Sequence, residues 1–262
     1  MASRVLSRRV RTQLMAVYGF ARLTDDVGDE APGDRSAQLD ELEAELDAAV
    51  RGKATHPTFV PLEPLLAELD CGAQPFRDLI EANRVDQRVH AYETFEELRG
   101  YCLLSAAPVG RIVLSIFDTT SPPRTAMSDD VCVGLQVVEH LQDVGEDARR
   151  GRVYLPGVDL DAAGCDAAAL TAPVASPSLR RVVEVNAARA AALLDAEGPL
   201  SRTLRLQPRL AVLGFAGGGR AALDAIRRAD YDVLAVTCRP TRGGVARHVL
   251  SSLLRPERRP PR

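Results

Sequence analysis

Two long apolar-periodic segments of this chain end in the same acidic pattern, Asp-x-x-x-Asp: Asp25-Asp26-Val27-Gly28-Asp29 and Asp143-Val144-Gly145-Glu146-Asp147. On an α-helix, positions four apart lie about 40° from one another around the axis and one turn along it, so each pair aims two carboxylates in one direction. Like charges so placed cost an isolated helix about 0.2–0.5 kcal/mol, and Asp26, Glu30 and Glu146 add to the load. A cation is expected to offset it. Mg²⁺ suits these donors, because it takes oxygen ligands, keeps several waters and commonly bridges one or two carboxylates to a substrate phosphate. A single such pair is ordinarily a solvated helix face. Two pairs, each embedded in an amphipathic segment and each followed by arginines, imply two helices facing each other across a cavity that holds metal ions and a diphosphate.

Ala- and Leu-rich amphipathic stretches recur between short Pro/Gly/Asp breaks and predict helices at 4–29, 35–50, 60–70, 75–88, 94–118, 124–149, 178–196, 200–229 and 242–254. Thr94 with Glu97 reads as a capping box. Pro122-Pro123 and the stretch from Pro156 to Pro177 are the clearest interruptions. Val153-Tyr154-Leu155 and the run from Tyr231 to Val236 are strand-like but too short to build a sheet. The expected fold is therefore all-α, one domain over residues 1–254. The Arg/Pro-rich tail, 255–262, is expected to be disordered, either a solvated end or a weak electrostatic contact with anionic lipid.

Apolar content of 46% with a net charge of −3 describes an ordinary soluble core and argues against nucleic-acid binding. No apolar run approaches the ~18 residues of a membrane span. The first 21 residues imitate a secretory leader, with arginines at 4, 8, 9 and 11, but run on into Arg22 and the first acidic motif without a cleavage-like break. The cysteines at 71, 102, 132, 165 and 238 form no Cys-x-x-Cys and read as buried small hydrophobes of a reducing compartment. The histidines at 56, 90, 140 and 248 show no zinc spacing.

Arg149-Arg150-Gly151-Arg152-Val153-Tyr154 follows the second motif. Arg149 and Arg150 complement a helix C-terminus. Arg152 and Tyr154 are expected to fold back, after the Gly151 turn, over the metal site and to meet phosphate oxygens or a leaving group. Arg22, one turn before Asp26, is divided between a local ion pair and diphosphate binding. The glycine-rich run Gly214 to Arg220 lacks the strand and βαβ context of a dinucleotide loop. It reads as a close helix contact or a kink, and no nicotinamide nucleotide is expected. Pro108, inside Tyr101 to Arg111, should kink an apolar helix, giving either close packing or a bent wall with room for a hydrocarbon.

The peptides AVYGFARLTDDVGDE (16–30) and GLQVVEHLQDVGEDARRGRVYLP (134–156) resemble the two aspartate-rich signatures of the squalene/phytoene synthase family, head-to-head prenyl synthases with an all-α isoprenoid-synthase bundle around a central cavity. The likeness continues through 76–111 and 217–234. EANRVDQRV (81–89), SAAPVGR (105–111) and EHLQDVGED (139–147) resemble the hydroxysqualene synthase branch of bacterial hopanoid biosynthesis. Other branches usually show Asn and Arg where this chain has Glu139 and Gln142.

The resemblance implies that Asp25, Asp29, Asp143 and Asp147 hold Mg²⁺ on the substrate diphosphate. It implies that Arg22, Tyr18, Arg152 and Tyr154 contact the diphosphate or help it depart, that Gln136 and Gln142 face the cavity, and that Arg152, Tyr154 and Gln142 are catalytic. The implied reaction is ionisation of presqualene diphosphate, rearrangement of the cyclopropylcarbinyl cation and capture by water to give hydroxysqualene. Such quenching needs no hydride donor. The alternatives are head-to-head condensation of two prenyl diphosphates, farnesyl or geranylgeranyl, and a non-catalytic family member acting as a scaffold; the four intact aspartates favour an enzyme. The implied setting is cytoplasmic, peripheral at the inner membrane surface, beside partner enzymes of squalene synthesis and without nucleic acid. Ala107 stands where the branch commonly has Asn, so a polar role is absent there. Because 24 residues precede the first motif, fewer than in relatives, the cavity is expected to be open on one side, with weak activity that an upstream segment would raise about tenfold.

Overall fold

The computed structural model describes residues 6–254. The expected helix start at Arg4 and the tail from Arg255 onward lie outside the described residues. Within them the regular structure is helical, apart from one isolated parallel bridge between Ala91 and Val153. The helices are α1 (Arg8–Asp29), α2 (Arg35–Val50), α3 (Glu63–Glu68), α4 (Gln74–Asp86), α5 (Phe95–Ser105), α6 (Ala107–Ile116), α7 (Pro122–Arg149), α8 (Gly157–Ala163), α9 (Pro177–Leu194), α10 (Glu197–Arg202), α11 (Leu206–Arg228) and α12 (Arg242–Leu254). None is long and apolar enough to cross a membrane among the described residues.

Local chemistry sets the starts. The Ser7 hydroxyl accepts the Val10 N–H (3.3 Å) at the head of α1, Asp34 accepts from Ala37 (3.1 Å) at α2, and Ser176 from Leu179 (3.1 Å) at α9. Thr94 caps α5 by accepting from Glu97 N–H (3.2 Å), but the Glu97 carboxylate reaches back to Glu93 N–H (2.8 Å), one residue short of a full capping box. Val10, Val17, Phe20, Thr24 and Gly28 then bury one stripe of α1, at three-, four- and seven-residue spacings.

Three expected helices divide, and proline explains two of the divisions. The segment 94–118 breaks at Ala106 into α5 and α6 rather than kinking, because Pro108 sits in the first turn of α6, where its missing N–H has no intrahelical partner to lose. The segment 200–229 breaks between Arg202 and Leu206, since Pro208 cannot donate to the Leu204 carbonyl that a continuous helix would present to it. Residues 60–70 open as a tight 3-10 turn, Val60–Leu62, before α3. The interruption at Pro122-Pro123 falls between α6 and α7, and both prolines sit in the first turn of α7. The glycine-rich run lies inside α11 as a contact surface. A Cβ at Gly219 would lie 2.6 Å from Leu135 on α7, and one at Gly217 would lie 3.0 Å from Val249 on α12.

Two apolar clusters organise the bundle. One joins α1, α2, α3 and α4 with Ile112 and Ile116 of α6, around edge-on contacts of Phe20 with Phe59 (5.5 Å) and Phe76 (5.2 Å). The other joins α5, α7, α9 and α11. Helix α6 packs on both α1 and α7, so the two acidic motifs belong to helices held apart by a shared neighbour.

Candidate active site

The turn after α7 assembles the site. Gly151 takes φ +79, a conformation open to glycine at little cost, and Arg152 N–H closes on the Asp147 carbonyl (2.9 Å). Val153 N–H then bonds the His90 carbonyl (2.7 Å), so residues 152–154 run beside residues 90–92. Arg152 thereby reaches across to the first motif, its Nη1 lying 2.6 Å from Asp29 Oδ1. Two residues on, the Tyr154 hydroxyl donates to Asp86 Oδ1 (3.0 Å), while Tyr101 donates to Asp86 Oδ2 (2.6 Å). Tyr154 also stacks on His140 of α7 (3.9 Å, 12°), and Tyr92 packs against both tyrosines.

The electrostatics follow from crowding. Burial pushes the Asp86 carboxyl above its ordinary value, opposed by Tyr101, by the Arg152 charge and by Tyr154. The hydroxyls of Tyr92, Tyr101 and Tyr154 are all pushed up by burial and by the nearby Asp86 charge, so they stay protonated. Asp25 remains in contact with solvent, yet displaced water pushes its carboxyl up to about 6; the Asn83 amide, 3.5 Å away, opposes the shift and the Asp29 charge reinforces it. Asp143 is raised by burial, by Asp147 and by Glu146. Asp147 lies 3.9 Å from His140 Nδ1.

The glycine of each motif admits a neighbour. At Gly28 a Cβ would lie 1.9 Å from Asn83 Oδ1, so only glycine lets α4 bring that amide to Asp25. At Gly145 a Cβ would lie 2.9 Å from a methyl of Leu234, in the segment that leaves α11. That segment is pinned by buried Asp232, which accepts N–H bonds from Ala175 and Ala235 (both 3.0 Å) and pairs with Arg180 (2.7 Å).

Two cavities flank the second motif. An apolar cleft of about 790 Å³, partly open to solvent, lies between α6, α7 and α11; Val109, Val113, Leu135 and Phe215 line it, and Gln136 and Glu139 stand at its polar end. A polar pocket of about 970 Å³ holds Glu139, Gln142, Asp143, Glu146, Arg149 and Arg239. Glu139 borders both, its carboxyl raised by burial, opposed by His140 and reinforced by Asp143 and Asp147.

The expected residues are distributed as follows. Arg152 and Tyr154 fold back as anticipated, and Gln136 lines the cleft, 3.4 Å from His140. Gln142 faces the polar pocket beside Asp143, and its amide donates to the Cys238 carbonyl. Arg22 forms the local ion pair, 2.7 Å from Asp26. Tyr18 is an exposed residue of α1. Ala107 is fully buried.

Sequence reasoning missed Asn83, Asp86, Tyr92, Tyr101 and His140 as site residues. A signal was present, because Asn83 and Asp86 fall on the stripe that also buries Phe76, Leu79 and Ile80 of α4, and a buried polar residue on an apolar stripe needs a partner.

Among the described residues no three His, Cys, Asp or Glu side chains gather closely enough to hold an ion alone. Each motif is a two-carboxylate platform. That donor chemistry fits Mg²⁺, which completes its shell with water and substrate phosphate.

An all-helical bundle with two acidic helix ends and an apolar cleft joined through Glu139 to the pocket of the second is the architecture of an isoprenoid synthase. The squalene/phytoene synthase family model matches residues 1–249, and the chain belongs to that family. It is 37% identical over 206 residues to hydroxysqualene synthase of Rhodopseudomonas palustris, covering 78% of this chain and 70% of the relative. It is 31% identical over 242 residues to phytoene synthase of Arthrospira platensis, covering 85% and 77%. The crystal structure of squalene synthase HpnC from Alicyclobacillus acidocaldarius superposes with a TM-score of 0.83 at 41% identity over 88% of each chain.

Proposed function

We propose that this enzyme ionises presqualene diphosphate and delivers the rearranged cation to water, forming hydroxysqualene. The observation that carries the reading is the position of Arg152. One guanidinium links the first acidic motif to the Asp86–Tyr101–Tyr154 cluster, and the turn that carries it is anchored on Asp147 of the second motif. Identity to hydroxysqualene synthase supports the choice of substrate and product.

Asp25 with Asp29, and Asp143 with Asp147, would hold Mg²⁺, which when bound neutralises charge building on the leaving diphosphate. Arg152 exchanges its bond to Asp29 for a diphosphate oxygen and stabilises the same charge as it develops. Tyr101 and Tyr154 donate their hydroxyl protons to Asp86, which fixes the tyrosine cluster on which the Arg152 turn rests. The apolar cleft takes the hydrocarbon against low-nucleophilicity side chains. Contact of the tail with anionic lipid, and transfer of a greasy product to partner enzymes of squalene synthesis, belong to the same proposal.

The test is incubation with presqualene diphosphate and, separately, with farnesyl diphosphate, each with Mg²⁺ in ¹⁸O-water. An ¹⁸O-labelled alcohol from presqualene diphosphate without any nicotinamide is expected. A hydrocarbon formed only with NADPH, or a cyclopropyl diphosphate as sole product from farnesyl diphosphate, would reassign the enzyme to reduction or to condensation. The similarity to phytoene synthase keeps condensation as the second reading.

A further inference from the structure

The apolar cleft carries polar groups that packing does not require. Ser105 ends α5 where the helix breaks and lines the cleft, and its hydroxyl is buried with no hydrogen-bond partner among the described residues. Gln136 and Glu139 lie on one face of α7, three residues apart, and line the same cleft. Glu139 also lines the polar pocket with Asp143, so it stands where the hydrocarbon space meets the diphosphate end. Buried polar groups are nearly always satisfied, and an orphan hydroxyl that shares one cleft with an amide and a carboxylate leaves a bound water as its partner. An all-apolar wall would hold a hydrocarbon better, so these groups serve something other than its burial.

We propose that Ser105, Gln136 and Glu139 hold the water that captures the cation, with Glu139 as its proton acceptor. The inference rests on the functional reading above. The electron pair of the original carbon–oxygen bond has already left with diphosphate. A lone pair of the held water forms the new carbon–oxygen bond, one of its O–H bonds breaks, and that proton passes to the Glu139 carboxylate. Substrate and water thus give alcohol, diphosphate and a proton, with no redox partner. Without the carboxylate, the cation loses a proton of its own carbon skeleton and gives an alkene. Glu139 would then determine which of two products forms after a common ionisation.

The experiment measures two quantities in one reaction, diphosphate released and hydroxysqualene formed, for wild type and for Glu139→Gln, Glu139→Asp and Ser105→Ala with presqualene diphosphate and Mg²⁺. The alcohol formed per diphosphate released is expected to fall at least about tenfold in Glu139→Gln, with alkenes replacing it. It should fall severalfold in Ser105→Ala, which removes one orphan hydroxyl, and recover in part in Glu139→Asp. An unchanged ratio in both Glu139→Gln and Ser105→Ala overturns the assignment. A parallel loss of diphosphate and alcohol, the ratio holding, also overturns it by placing Glu139 in ionisation. Failure of wild type to form any alcohol is a different result, because it removes the functional reading before any variant is compared.

Discussion

The two acidic motifs share a sequence pattern but not an environment. In the first, Asp29 pairs with Arg152, Asp25 is approached by the Asn83 amide, and Gly28 is the gap that lets α4 come close. In the second, the Asp143 carboxylate has no hydrogen bond or ion pair among the described residues, the Asp147 carboxylate has only His140 at 3.9 Å, Arg150 pairs with Glu146 (2.9 Å), and Gly145 packs against an aliphatic methyl. The first motif therefore carries its own counter-charge before any ligand arrives. The second places its counter-charge on Arg150 beside Glu146 and leaves the Asp143–Asp147 repulsion less offset. A symmetric sequence signature has become an asymmetric site, with an arginine on an aspartate of the carboxylate pair at one end and on the neighbouring glutamate at the other.

Replacing single aspartates tests that asymmetry most strongly. Asp25→Asn and Asp147→Asn are both expected to abolish turnover, a loss of about 10²–10³-fold or more, while far-UV circular dichroism stays helical. Metal-free melting should then separate the motifs. Asp147→Asn relieves repulsion worth about 0.2–0.5 kcal/mol and melts at the wild-type temperature or slightly above. Asp29→Asn leaves Arg152 without its partner, a loss discounted to about 1 kcal/mol for partial exposure, and melts about 2–4 °C lower. Equal shifts in the two variants would break the comparison.

The motif glycines give a smaller effect. Gly28→Ala drives a methyl into the Asn83 amide at the mouth of the first motif and is expected to cost about 1–3 kcal/mol. Gly145→Ala meets the far end of Leu234, which can yield, and gains about 0.5–1 kcal/mol of helix propensity, so it should be near neutral. Urea titrations of the two variants check this, and a larger loss at Gly145 would reverse the order.

The last effect is a pH dependence centred on Asp25 of the first motif. Asp25 is raised from 3.8 to about 6, so its proton is held more tightly in the folded state. Its contribution to stability is complete below about pH 3.8 and is lost as pH rises through about 6. Without metal, Asp25→Asn should therefore gain stability relative to wild type between pH 4 and pH 7. A constant difference across that range would show that Asp25 is not held in this state.

Helix class, the two carboxylate pairs and the turn at Gly151 were legible in the chain because they depend on neighbours within a few residues: apolar period, charge spacing, a glycine turn. Even the errors were local in cause, since Pro108 and Pro208 ended helices where continuous periodicity had extended them. What periodicity could not rank was which polar residues on a buried stripe meet one another.

Sequence by itself determined an all-α bundle with paired acidic helix ends, because backbone hydrogen bonding and i,i+4 geometry are settled inside each helix. Only the tertiary structure decided that Asp86 of α4 joins Tyr101 of α5 and Tyr154 beyond α7, that Arg152 serves the first motif, and that Gln142 donates to the Cys238 carbonyl. Those partners are separated by up to 123 positions along the chain. Which of them come within hydrogen-bond distance is fixed by how the helices stack around α6, a packing outcome that no local period encodes.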